Sequence, residues 1–199
     1  MAEPRIIVLT APSGAGKSTI AERVLAAMPQ ARFSVSATTR APRPGEEDGV
    51  DYHFLAEEEF RRAITEGEML EYEEVYEGRF YGTLRSEIDR ATRDRPVLLV
   101  LDVKGAAHVE ELFGDEALTL FINPPSLGVL EDRLRERNTE TTDTLRERLD
   151  RARMEMDYAD ECDATVVNDD LDDAVEETLA RIHRFLEIDP SEINEKGVS

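Results

Sequence analysis

The stretch TAPSGAGKST, residues 10–19, follows directly on the apolar run RIIVL and constrains this chain more than any other feature. From Ala11 to Ser18 it has the spacing G-x-x-x-x-G-K-S/T, with alanine in place of the first glycine. Glycines at these positions let successive N–H groups converge on phosphate oxygens, and a helix beginning after them presents its positive end to the same oxygens. Lys17 can then reach the β- and γ-phosphates of a nucleoside triphosphate, and Ser18 can ligate Mg²⁺. Ala11, Pro12, Ser13, Gly14, Ala15, Gly16, Lys17, Ser18 and Thr19 are therefore the candidate ATP-binding residues. Alanine suits position 11 provided its φ is negative.

The strand, glycine loop and helix around this motif set a rhythm that returns further on. Ile20, Val24, Leu25 and Met28 recur at helical spacing. VLLVL at 97–101 precedes the amphipathic KGAAHVEELF, LTLFI at 118–122 precedes SLGVLEDRLRER, and ATVV follows a helical segment at 144–157 and precedes LDDAVEETLARIHRFL. Apolar strands alternating with amphipathic helices predict an α/β fold, a parallel sheet covered by helices on both faces. Between about 34 and 92 the rhythm breaks into short candidate strands, FSV, YHFL, MLEYEEVY and RFYG, which predicts an inserted α+β subdomain within a single 199-residue domain. Residues 187–199 read as a disordered tail.

Charge narrows the partners. Forty-five acidic against 24 basic residues give a net charge of −21, which argues against nucleic acid as a partner. Among the acids only Glu22 falls between residues 4 and 45, where Arg5, Lys17, Arg23, Arg32, Arg40 and Arg43 gather. A cationic island in an anionic chain outlines a site for small phosphorylated ligands. Lysine occurs only at 17, 104 and 196, and acid-rich, lysine-poor composition suggests a high-salt interior. No leader and no membrane-length apolar run is present, so a cytoplasmic protein is expected. The single cysteine, Cys162, reads as a core residue, and His53, His108 and His183 show no catalytic spacing.

The stretches FSVSATTRAPRPGEEDGVDYHF and MLEYEEVYEGRFYGT separate kinases from other phosphate-loop proteins. Here the sequence resembles the guanylate kinases, from about Arg5 to Leu186, through a serine, two threonines, Arg40, Pro42, Arg43, Gly45 and Tyr52. The resemblance implies phosphoryl transfer from ATP to GMP, and to dGMP, with the insert at 34–92 as the GMP-binding part and a helical lid near 135–147. It implies GMP contacts at Ser36, Arg40, Arg43, Tyr52, Glu71, Tyr81, Thr83 and Asp102. It also implies catalytic roles for Lys17, Arg40, Arg137 and Arg148, with Arg133, Arg137 and Asn168 on the ATP side and Ser18 on Mg²⁺. The partners implied are ATP and GMP, with no membrane and no particular oligomeric state.

Residue chemistry agrees with these roles. Arg40 and Arg43 can grip a monophosphate from two sides, with Tyr52 and Tyr81 as neutral donors. Guanine offers two adjacent donors, N1–H and the 2-amino group, and a carboxylate such as Glu71 accepts from both. Asp102 follows an apolar strand, where open parallel sheets place ligands. The sequence departs from the resembling family at Val100, where an acid is common, and at Glu136 and Asn138, where glycine is usual. Arg151 and Arg153 read as partners in helix-surface pairs such as Glu147 with Arg151. A non-catalytic binding module of the same fold would tend to lose Lys17 and Ser18. A regulatory GTPase would need a lysine in the guanine motif that VNDD at 167–170 lacks.

Overall fold

The computed structural model describes residues 4–76, 78–89, 91–136 and 142–187. Its centre is a five-stranded, all-parallel sheet in the order β2-β7-β1-β8-β9. These strands are β1 (Ile6–Thr10), β2 (Arg32–Phe33), β7 (Val97–Leu101), β8 (Ala117–Asn123) and β9 (Ala164–Val167). Every residue of β1 is buried, and the side chains alternate between two cores. Ile7 and Leu9 join the cluster beneath α1 (Lys17–Ala27) and α6 (Leu171–Leu186), while Ile6 and Val8 join the one beneath α3 (Val103–Phe113). This two-sided burial is why the strand reads as an unbroken apolar run rather than an alternating one. Each fully buried Ile or Leu contributes roughly 1.5–3 kcal/mol, so the central strand alone is a large share of the stability.

The insert carries a second sheet in the order β4-β3-β6-β5, from β3 (Ala37–Thr38), β4 (His53–Phe54), β5 (Met69–Tyr76) and β6 (Arg79–Leu84). Behind it lies α2 (Glu57–Thr65), whose Phe60 stacks on Phe80 at 5.4 Å between ring centroids. With Ala37, Ala63 and Met69 these rings form a small core of their own. One expectation changes. The sequence pattern puts FSV in the insert, yet Phe33 belongs to β2, which pairs with Val97 and Leu98 of the central sheet. A two-residue strand is assigned by its partner, here some 65 residues away, and not by local pattern.

The helices α4 (Leu127–Glu136) and α5 (Thr142–Met156) complete the fold, joined through Leu130, Leu134 and Ala152. Arg137, Asn138 and the centre of the expected lid lie outside the described residues, as does the expected tail from 188 onward. Among the described residues, no helix is long and apolar enough to cross a membrane.

Candidate active site

The donor end is built mainly from backbone. After β1 the chain turns through Gly14 and Gly16, both at positive φ (92° and 95°), and Gly16 caps α1. Glu187 is the one non-glycine with positive φ among the described residues, so Ala11 sits where alanine is tolerated. It is buried in the core at 4% exposure, which accounts for a methyl group at that position. A cavity of about 540 Å³ opens over the loop, lined by all the expected ATP-binding residues from 11 to 19 except Ala15. Ala15 is fully buried and faces the other way.

Lys17 lies on the floor of that cavity, its Nζ donating to Leu101 O at 2.8 Å and to Ala11 O at 3.4 Å. Burial pushes its pKa down to about 8, against the pull of Asp102 and Glu155. An ammonium held by carbonyls alone is ready to exchange them for phosphate oxygens.

Asn168, expected at the adenine, is 5% exposed and directs its Nδ2 into the loop, donating to Ala15 O at 2.7 Å. A Cβ on Gly16 would stand 2.3 Å from that nitrogen, so the glycine is required by packing as well as by φ. Arg133 holds the other side of Asn168, donating from Nη2 to its carbonyl at 3.0 Å.

Arg148, exposed on α5, lines the phosphate cavity together with Arg151 and Glu155. Their spacing, i, i+3 and i+7, places all three on one helix face. Arg151 differs from its expected surface role. Its Nε donates to Glu155 Oε1 at 2.7 Å, and its Nη2 lies 3.8 Å from Asp102 Oδ2. Arg153 is the plain surface residue, paired with Asp150 at 2.8 Å.

The acceptor end is built from side chains. Glu71 pairs in register with Thr83 across β5 and β6, and Glu73 with Tyr81, so all four point to one face of the second sheet. Thr83 Oγ1 donates to Glu71 Oε1 at 2.7 Å. Burial first, then the charges of Asp102 and Glu73, push the Glu71 carboxyl up to about 7 against the Thr83 hydrogen bond. A second cavity, about 570 Å³, opens here and is bordered by Glu71, Glu73, Lys104 and Asp102.

Asp102 is common to both cavities. It caps α3 by accepting from Gly105 N–H at 2.8 Å. It also shares a hydrogen bond with Glu73, whose carboxyl is raised by that contact and by burial. Asp102 itself is lowered, despite burial, by Glu73, Gly105 and Lys17. Lys104 Nζ donates to Glu73 Oε1 at 3.2 Å.

The other acceptor residues cluster beside this cavity. Arg40 lies over the ring of Tyr52 at 5.1 Å, and Tyr52 meets Tyr81 edge-on at 6.1 Å. Tyr81 and Thr83 are two apart on β6, which puts the arginine cluster and the carboxylate cavity on the same sheet face. Arg43 is exposed on the loop after Arg40, and Ser36 is half-buried one residue ahead of β3. Val100 is packed against the apolar core, so no oxygen stands there. Glu155, from a different element, brings a carboxylate to the phosphate cavity instead.

Sequence reasoning missed Glu46, Glu73 and Glu155. The last two carried a signal, strand alternation with Glu71 and helical spacing with Arg148.

A phosphate loop at the carboxyl end of a parallel sheet, facing a separate arginine and carboxylate site across Asp102, defines a phosphate-loop phosphotransferase with its own acceptor pocket. The chain belongs to the guanylate kinase family, whose model matches residues 3–185. It is 64% identical to a guanylate kinase of Salinibacter ruber, over 94% of this chain and 99% of that protein. It is 49% identical to one of Chlorobium luteolum, over 92% of each. The crystal structure of guanylate kinase from Anaplasma phagocytophilum superimposes with a TM-score of 0.75 at 30% identity, covering 98% and 96% of the two chains. A gluconokinase from Sinorhizobium meliloti, at 20% identity and a TM-score of 0.52, shares the fold.

Proposed function

We propose that this protein transfers the γ-phosphoryl group of ATP to GMP and dGMP, with the donor in the cavity over residues 11–19 and the acceptor against the second sheet. The observation that carries this reading is Glu71. Its Oε1 is fixed by Thr83, and its carboxylate borders an open cavity on the same sheet face as Arg40, Tyr52 and Tyr81. An acceptor-only group there matches the N1–H and 2-amino donors of guanine, while the arginine cluster matches the 5′-phosphate. Ser36 and Asp102 flank the base in this reading.

Lys17, leaving its two carbonyls, holds the phosphates of ATP, and the N–H groups of the loop cradle them. Arg148, standing over the same cavity, meets the charge that spreads over the phosphoryl group in flight. An arginine in this role is worth roughly 10³- to 10⁵-fold in rate. Arg137, outside the described residues, is assigned the same task on the family resemblance alone, and Arg133 and Asn168 fix the loop from behind.

Among the described residues, no three carboxylate, imidazole or thiol side chains converge as a metal cage. The exposed Ser18 hydroxyl at the start of α1, with the Asp102 and Glu155 carboxylates bordering the same cavity, fits Mg²⁺. That ion keeps several waters and takes few protein oxygens beside the nucleotide's own. When bound it neutralises charge on the β- and γ-phosphates. At −21 the surface repels polynucleotides, so nucleic acid is not among the partners we infer.

A coupled ADP-release assay with ATP and each of GMP, dGMP, AMP, CMP and UMP tests the assignment. Turnover confined to the guanine nucleotides is expected, and comparable turnover of AMP would overturn it.

A further inference from the structure

The loop that carries Arg40 and Arg43 contains an anion where a cationic pocket would be expected. Residues 43–46 form a turn closed by Glu46 N–H donating to Arg43 O at 3.0 Å. Pro44 holds the second position and Gly45 the third, at φ 92°, as a type II turn demands. The turn sends the Glu46 carboxylate back over the loop. Its Oε2 accepts from the Arg43 N–H and from Arg40 Nη1, both at 2.7 Å, and its Oε1 accepts from Arg40 Nη2 at 2.8 Å. Both side chains are largely buried, Arg40 at 9% exposure and Glu46 at 18%. The rings of Tyr52 and Phe54 lie 5.1 and 5.5 Å from the guanidinium carbon. The Arg40 hydrogen bonds, then the Arg43 amide, hold the carboxyl down at about 2, so it is an anion at every working pH.

A guanidinium has five N–H groups. Nη1 uses both of its own, on Glu46 and on Ala41 O at 2.8 Å, and Nη2 uses one on Glu46. Nε–H and the outer Nη2–H are left for the Tyr81 hydroxyl, which also bonds the Arg40 side chain, and for an incoming anion: two parallel donors along one edge, the spacing that suits two oxygens of a phosphate. A carboxylate here cancels one of the two arginine charges meant for a dianion. Only its effect on geometry can offset that.

We propose that Glu46 is a positioning residue for the acceptor phosphate: it grips the end of the Arg40 fork and the Arg43 amide, and so turns the Nε/Nη2 edge of Arg40 toward the incoming monophosphate. This role rests on Arg40 and Arg43 holding the GMP phosphate. The competing role, an internal anion that occupies the phosphate's place and must be displaced, predicts the opposite sign.

Calorimetric titration of Glu46→Gln, Glu46→Asp and Arg40→Gln, each with GMP and with guanosine, decides the matter. Glu46→Gln should weaken GMP by about tenfold or more, the scale of a charge-assisted contact, with guanosine affinity essentially unchanged. Glu46→Asp, which keeps the charge on a shorter arm, should recover part of the loss. It stands in for the glutamine variant if that variant fails to fold, a loss confined to GMP being the expected result. If Arg40→Gln leaves GMP affinity untouched, the phosphate site itself is misassigned. If Arg40→Gln weakens GMP while Glu46→Gln leaves it equal or tighter, the site stands and the positioning role is overturned. Equal losses for GMP and guanosine would also overturn it.

Discussion

In the proposed function the two ends of the site each hold a phosphate, and they are built to do so by opposite means. At the donor end the contacts come from one continuous stretch, residues 11–19, whose N–H groups and glycine turns make the cradle while buried Asn168 braces it from behind. At the acceptor end, Arg40, Glu46, Tyr52, Glu71, Glu73, Tyr81, Thr83 and Asp102 come from both sheets and the loops between them. What they offer is side chains set by each other. A backbone cradle cannot be removed by one substitution, but the lysine inside it can. A side-chain site can be retuned one group at a time. The two should therefore fail differently when single residues are changed.

The largest effect is expected from Lys17→Ala. Its ammonium is the cation that the loop itself brings to the donor cavity, Arg148 and Arg151 lining it from α5. Its hydrogen bonds go to the Leu101 and Ala11 carbonyls, so that it reaches the acceptor cluster only through the charge of Asp102. Transfer should fall by about 10³-fold or more, since charge stabilisation on the moving phosphoryl is lost, while GMP affinity stays near its original value. Single-turnover rates alongside GMP calorimetry check both halves. A parallel loss of GMP affinity would show that the two ends are not separable.

A smaller but more selective effect is expected from Glu71→Gln. The amide cannot accept from both guanine donors and leaves one unpaired, so GMP use should drop by about 10- to 100-fold and AMP should gain relative to it. The unsubstituted protein offers a pH signature of the same contact. With the carboxyl raised to about 7, only its ionised form accepts from both donors, so KM for GMP should fall as pH rises from 6 to 8. Binding should also release a proton in that window. The sign for stability is reversed. A carboxyl raised from 4.5 to about 7 in the fold stabilises it fully below about 4.5, and that contribution is lost as pH rises through 7. Glu71→Gln should flatten both profiles, and an unchanged GMP-to-AMP ratio would make Glu71 an ordinary strand residue.

The same contrast explains what the sequence disclosed. The phosphate loop was legible because its chemistry is contiguous, and α6 because Ala174, Val175, Thr178, Ile182 and Leu186 repeat one buried face without interruption. The helix α2 was less plain, since its apolar face is only Phe60, Ala63 and Ile64 behind a run of acids. Glu71 alone looked like part of an acidic strand. Only the register with Thr83 and the proximity of Asp102 distinguish it from Glu74, one residue beyond Glu73. Glu46 was invisible because a type II turn, and no periodicity, folds it onto Arg40. Asn168 looked like a ligand contact because the strand end brings it to the nucleotide side. Its side-chain direction depends on Ala15, more than 150 residues away.

The smallest effect expected is that of salt, and it separates long-range from contact electrostatics at the two ends. At −21 the compact chain repels itself and repels approaching nucleotides, and both effects act over distances that screening removes. The Debye length falls from about 10 Å at 0.1 M to about 3 Å at 1 M. Exposed pairs such as Arg23–Asp172 and Arg153–Asp150 weaken as well, but such pairs are worth only about 0–1 kcal/mol each. Lys17 in its desolvated pocket and Arg40 in its buried pair meet their partners at hydrogen-bond distance, where salt has least purchase. The thermal midpoint and the GMP kinase rate should therefore both rise with KCl from 0.05 M toward molar concentrations at fixed free Mg²⁺, the rate by no more than a few-fold. A steady fall of both would mean that steering toward the cationic island at residues 4–45 outweighs the repulsion of the remaining surface. A rise in the midpoint with a fall in rate would locate that steering at the phosphate sites alone.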